Sequence, residues 1–81
     1  VPDLKDDFAE LVRLLVDQPE QVAVTEIPGR RESMLELQVA PDDLGKVIGR
    51  QGRTARALRT LLEVRGDRRG ERYELDILED E

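Results

Sequence analysis

The sequence predicts an α+β fold in which three helices pack on a three-stranded mixed sheet, in the order α-β-β-α-α-β. Three observations lead there: an apolar stripe at helical spacing near the start, two strand-like runs joined by a Pro-Gly turn, and two helical segments split by glycines ahead of a last alternating run. With 81 residues, 38% of them apolar, the chain is expected to form one domain over residues 1–81, with a small core and no room for a second. Its only aromatic residues are Phe8 and Tyr73, so that core must be built from Leu, Val and Ile.

Leu4, Phe8, Leu11, Val12 and Leu15 fall at i, i+4, i+7, i+8 and i+11, with Asp3, Asp6 and Asp7 near the positive end of the helix they imply. The helix is expected from about Pro2, a favoured first-turn residue, to about Asp17, where Pro19 stops it. Residues 21–27 hold Val22, Val24 and Thr25 without a helical period, and residues 33–40 alternate Leu35, Leu37 and Val39 with Glu36 and Gln38. Both read as strands, and Pro28, Gly29 and Arg30 supply the turn of a hairpin between them. Pro41, Asp42 and Asp43 look like a helix start, after which Leu44, Val47 and Ile48 share one side of a short helix ended by Gly49 and Gly52. From Arg53 to about Arg65 a third helix is indicated, with Ala55, Leu58, Leu61, Leu62 and Arg65 on one side and Arg53, Arg56 and Arg59 on another. Gly66 is its expected C-cap, residues 66–70 a polar loop, and Tyr73, Leu75 and Ile77 the inward positions of a last strand. Strands joined through two helices must run parallel, while the hairpin adds an antiparallel one. The acidic tail at Glu79, Asp80 and Glu81 is expected to fray.

With no Cys and no His, the chain lacks a disulfide framework, the usual zinc ligands and an imidazole for acid-base work. No cofactor or metal is expected, and the carboxylates show no convergent pair, so the chain does not read as an enzyme. Apolar runs reach only three residues, as at Leu14, Leu15 and Val16, far short of a membrane span, and a soluble, cytoplasmic protein is expected.

The net charge of -6 argues against a protein that binds polyanions by bulk charge, but the average hides an asymmetry. Residues 1–44 total -7, residues 45–72 total +6 and residues 73–81 total -5. A local basic surface on an acidic body can hold a polyanion while the rest of the molecule resists indiscriminate association. An Arg-studded helix face is equally what a solvated face looks like, and Arg59 with Glu63 at i, i+4 fits a helix-supporting pair.

Chemistry concentrates at Leu44 to Thr54. No Walker A register can be drawn there and no dinucleotide fingerprint either; what is present is Gly49-Arg50-Gln51-Gly52 between two helices. Glycines remove side-chain bulk so that backbone N–H groups can approach an anion, and the next helix presents its positive N-terminus at the same point. Lys46, Arg50 and Arg53 add mobile charge around it. A lone Gly-x-x-Gly is a weak signal, but a plain helix-helix turn has no need of Val47 and Ile48 before it or of arginines within and after it.

The run Val47-Ile48-Gly49-Arg50-Gln51-Gly52-Arg53-Thr54 resembles the Ile-Gly-x-x-Gly signature of KH domains, and the element order is similar to their type II form. Leu14-Leu15-Val16-Asp17-Gln18-Pro19-Glu20 and Arg59-Thr60-Leu61-Leu62 extend the likeness, over nearly the whole chain, to small bacterial single-domain KH proteins of the KhpA type. That resemblance implies a module binding single-stranded RNA, in the manner of an RNA chaperone or post-transcriptional regulator, that forms a homodimer or pairs with a second, larger KH-containing protein. It implies that Gly49, Arg50, Gln51 and Gly52 grip the sugar-phosphate backbone of about four nucleotides. Leu44, Val47 and Ile48 become the groove floor, though each fits a core position equally well, and Arg56 joins the basic strip. Arg68 and Arg69, in the loop expected before the last strand, would flank the groove. The competing reading is a protein-assembly module with incidental RNA contact, supported by an acidic first helix whose Leu14 lies off the apolar stripe.

Overall fold

The computed structural model describes residues 3–79, leaving out the side chain of Arg69. Six main elements follow in order: α1 (Leu4–Leu15), β1 (Ala23–Ile27), β2 (Ser33–Gln38), α2 (Leu44–Ile48), α3 (Arg53–Arg69) and β3 (Tyr73–Ile77), with short 3-10 turns at Pro19–Gln21, Pro41–Asp43 and Arg50–Gly52. The expected three helices and three-stranded mixed sheet are present in the expected order. The sheet runs β1-β2-β3, with β2 central, antiparallel to β1 from Ala23↔Gln38 to Ile27↔Met34 and parallel to β3 from Ser33↔Tyr73 to Leu37↔Ile77.

The apolar stripe of α1 folds as its spacing predicts, burying Leu4, Phe8 and Val12. Its cap is Asp3, whose carboxylate accepts the Asp6 N–H at 3.1 Å, so the helix starts at Leu4; Pro2, the expected first residue, lies outside the described residues. It also stops two residues short of Asp17. The N–H groups of Asp17 and Gln18 turn instead to the carboxylate of Asp43, at 3.1 and 2.9 Å, and Val16 is extended. Asp43, expected to begin a helix, is thus a buried tie, 1% exposed, that caps nothing in α2. The turn at Pro19–Gln21 takes Gln21 out of the expected first strand, and β2 closes at Gln38, leaving Val39 and Ala40 buried beyond it.

Leu35 and Leu37 on the inner face of β2 meet Phe8 and Val12 of α1, Val47 of α2, Leu58 and Leu62 of α3 and Leu75 of β3 in one cluster. Burial of each large apolar side chain contributes about 1.5–3 kcal/mol. Leu61, expected on the same side, stays 39% exposed, and Arg65 reaches α1 to pair with Asp7 at 3.2 Å.

The third helix departs most from expectation. It runs 17 residues, through Gly66 to Arg69, and residues expected to form a loop are its last turn. Gly66 serves close packing, since a Cβ there would lie 2.6 Å from the Glu71 carbonyl oxygen and 3.2 Å from the Tyr73 ring. The stop comes at Gly70, with φ of 71°: its N–H donates to Asp67 O at 3.2 Å while that of Glu71 donates to Gly66 O at 2.8 Å, a Schellman closure. Of the acidic tail, Glu79 is exposed, and Asp80 and Glu81 lie outside the described residues.

Candidate nucleic-acid interface

The turn between α2 and α3 is built on backbone conformations that few residues adopt. The Gly49 N–H closes α2 on Gly45 O at 2.8 Å, and the chain then takes φ values of 76° at Gly49, 57° at Gln51 and 73° at Gly52. Gly49 is required twice over, by its φ and because a Cβ would sit 2.3 Å from Thr54 Oγ1. At Gly52 only the conformation matters, since a Cβ would meet nothing within 4 Å. Gln51 holds a left-handed conformation without being glycine, a strain of about 1–3 kcal/mol of the kind that gathers at functional turns. No sequence signal marked it.

Around this turn Arg50, Gln51, Arg53, Arg56 and Arg59 are exposed. Arg53 donates to Gln51 Oε1 at 3.4 Å, and Arg50, Arg53, Arg56 and Arg59 enter no ion pair among the described residues; Arg59 does not take Glu63 as its partner. The N-terminus of α3 adds its positive end to this unneutralised charge. Beside it lies an open groove of about 520 Å³, lined by Ile48, Gly52, Ala55, Arg56 and Arg59 on the helical side and by Asp76, Ile77 and Glu79 on the strand side. Here β3 is the sheet edge. Ser33 N–H bonds Arg72 O and Leu78 N–H bonds Leu37 O, both at 2.9 Å, so the parallel ladder uses alternate residues of this segment. Leu75 and Ile77 consequently turn their N–H and C=O outward, offering donors and acceptors along the groove.

Five expected members of the site stand elsewhere. Val47 is 0% exposed and belongs to the core, Leu44 packs against that core, and of the anticipated floor only Ile48 lines the groove. Lys46 forms an ion pair with Asp17 and lies 3.8 Å from Asp43; hydrogen bonding to Asp17 raises its pKa above 10.5. It ties α2 to the end of α1 instead of standing unpaired by the turn. Arg68 is exposed on the last turn of α3, about 22 Å along the helix from Arg53, and the backbone of Arg69 follows it, its side chain lying outside the description. The structure gathers Arg50, Gln51, Gly52, Arg53, Arg56 and Ile48 and leaves those two arginines at the opposite end of the helix. Ala55, Asp76, Ile77 and Glu79 were missed by sequence reasoning, and Arg59 was read only as part of the basic helix face. Alternation marked the inward side of Ile77, but nothing local placed β3 at the sheet edge beside α3. Among the described residues no three His, Cys, Asp or Glu side chains converge as a metal site would need, and no helix is long and apolar enough to cross a membrane.

Three helices on one face of a β1-β2-β3 mixed sheet, with a Gly-x-x-Gly turn joining the second and third helices beside the edge strand, define a KH domain of type II. The comparison with known families goes further, for a model described as KhpA/KhpB, KH domain, matches residues 5–77. The chain belongs to that family. It is 51% identical over 76 residues to the RNA-binding protein KhpA of Aquifex aeolicus, covering 94% of this chain and 96% of the relative. Over 72 residues it is 49% identical to the protein of that name from Treponema pallidum, covering 89% and 90% of the two chains. The Chlamydia caviae protein, likewise called RNA-binding protein KhpA, is 43% identical over 77 residues, or 95% and 99% of the two. No solved structure matches the chain.

Proposed function

We propose that this chain binds single-stranded RNA without chemistry of its own, gripping the phosphate backbone at Gly49, Arg50, Gln51 and Gly52, and that it acts in the cytoplasm as an RNA chaperone or post-transcriptional regulator. One observation carries the reading: Arg50 and Arg53 stand at a glycine turn at a helix N-terminus, and Arg56 and Arg59, like them in no ion pair among the described residues, line the adjoining groove, whose other wall is an open strand edge. Phosphates belong on the arginine side, and bases face the strand, where the backbone of Ile77 and the carboxylates of Asp76 and Glu79 offer hydrogen bonds. With two aromatic residues in the whole chain, the grip is a clamp and not a stacking platform. The relatives named as RNA-binding proteins support the same reading. The test is the salt dependence of binding to single-stranded and duplex RNA. Each neutralised phosphate contributes about -0.7 to the log-log slope, so two to four contacts give roughly -1.5 to -3 on the single strand. A slope near zero, or tighter binding to a perfect duplex, refutes it.

A second reading concerns partners and stands beside the first. Leu14 is 81% exposed at the end of α1, and Leu15, Leu61 and Val64 are exposed as well, apolar side chains that a partner could cover. We infer pairing, either with a second copy or with a larger KH-containing protein, which doubles the grooves and raises avidity without new RNA contacts. Light scattering on the purified chain and a pull-down from its host test this; a monomer at high concentration with no KH-containing partner overturns it.

A further inference from the structure

The groove does not end at Arg59. It continues between α3 and β3 past Glu63, Glu74 and Leu75, and then past Asp67 to Arg72 and Glu32. Arg59 lines both the first and second stretches, and Glu63 and Glu74 line both the second and third, so these form one trough. Along its α3 wall the charge reverses, while the strand wall is acidic from Asp76 and Glu79 at the turn end to Glu74 further on. At the turn end α3 contributes Arg56 and Arg59; one helical turn further it contributes Glu63, and one more turn brings Asp67. None of Glu63, Asp67 and Glu74 is in an ion pair among the described residues, so their charge acts on whatever enters. Glu63 lies four residues from Arg59, a rise of about 6 Å, which is inside the Debye length of about 8 Å at physiological salt. A strand following the guanidiniums along α3 therefore meets repulsion within one further turn of the helix.

We propose that this acidic half of the trough, at Glu63, Asp67 and Glu74, ends the footprint of a bound strand at Arg59 and turns the chain out into solvent. The inference rests on the RNA reading above and adds a boundary to it: the chain's +6 segment is not one continuous track, because Glu63 and Asp67 follow Arg59 along α3, across the trough from Glu74. The charge pattern selects short single-stranded stretches, since a longer strand gains no further phosphate contact from this molecule.

The test compares salt slopes for single-stranded RNA oligomers of about four and about ten nucleotides, on the full chain and on its E63R/E74R variant. Slopes are read instead of affinities because a longer oligomer offers more registers and binds better for that reason alone. Glu63 and Glu74 are exposed, so the substitutions leave the fold intact, which a melting curve verifies. The parent is expected to give the same slope on both oligomers. The variant is expected to keep that slope on the short one and to steepen by about 0.7 to 1.4 on the long one, one or two added phosphates. A parent slope that already steepens with length, or a variant slope that does not, overturns the boundary while leaving the RNA reading in place. Failure of the parent to bind either oligomer overturns both.

Discussion

Replacing Arg50 and Gln51 together with Asp separates binding from folding. Both side chains are exposed, and the turn that carries them is shaped by Gly49 and Gly52, which stay. Arg50 is not ion-paired, so the folded state loses no partner with it. Gln51 sits at a φ of 57°, a region that Asp enters more readily than Gln, so that half of the change is neutral or slightly favourable for the fold. Stability should move by no more than about 0.5 kcal/mol, or a melting temperature shift under about 4 °C for a chain of this size. Binding is a different matter. A charge-assisted contact to phosphate contributes about 1.5–3 kcal/mol, and each carboxylate brought to about 4 Å from a phosphate adds about 1 kcal/mol of repulsion. Losing one such contact and gaining two repulsions amounts to roughly 3.5–5 kcal/mol, a loss of about 300- to 4,000-fold in affinity. Fluorescence anisotropy with a labelled single-stranded RNA, alongside thermal melts, reads both quantities. A variant that melts like the parent and binds RNA as tightly would show that the glycine turn is not the RNA site, and the assembly reading would then lead.

The two glycines of the turn should answer differently to Ala. Gly49→Ala meets Thr54 as well as an unfavourable φ and should cost roughly 2–6 kcal/mol, whereas Gly52→Ala opens into empty space and should cost only about 1–2 kcal/mol; equal losses in a denaturant titration would refute the assignment. Lys46→Met should remove a pH-dependent contribution to stability. The pKa of Lys46 is raised above 10.5, so its tie to Asp17 favours the protonated amine, is fully present below that value and is lost as pH climbs through the folded pKa. The melting-temperature gap between parent and variant should accordingly hold steady up to about pH 10 and close above it; a gap that persists in strong alkali would show that the stem of the side chain, not its charge, stabilises the fold.

Local periodicity made most of the fold legible. The spacing of Leu4, Phe8 and Val12 and the alternation of Leu35 and Leu37 each need only a segment's own residues to be read, and both faces are buried as that spacing implies. The connection through two helices imposed a parallel pair of strands, which β2 and β3 form. What failed was local too, but undecidable locally. Gly66 and Gly70 are both plausible helix ends; the left-handed turn falls at Gly70, and Gly66 is glycine for another reason, the close approach of Glu71 and Tyr73. Pro41, Asp42 and Asp43 do open the helical stretch that leads into α2, but nothing local shows the further task of Asp43, accepting the N–H groups of Asp17 and Gln18 some twenty-five residues away.

The candidate site divides along the same line. The glycine turn and the arginines within and after it could be recognised from the sequence, because conformational freedom and charge are properties of the residues themselves. Which of Val47 and Ile48 lines the groove, and that Lys46 is held by Asp17, followed from packing alone. The far wall of the groove is decided by sheet order, which leaves β3 at the edge beside α3. So is the sign of the charge along it: Glu63 and Glu74 are eleven residues apart in the chain, and they line one trough only because a long helix folds back onto the strand that follows it.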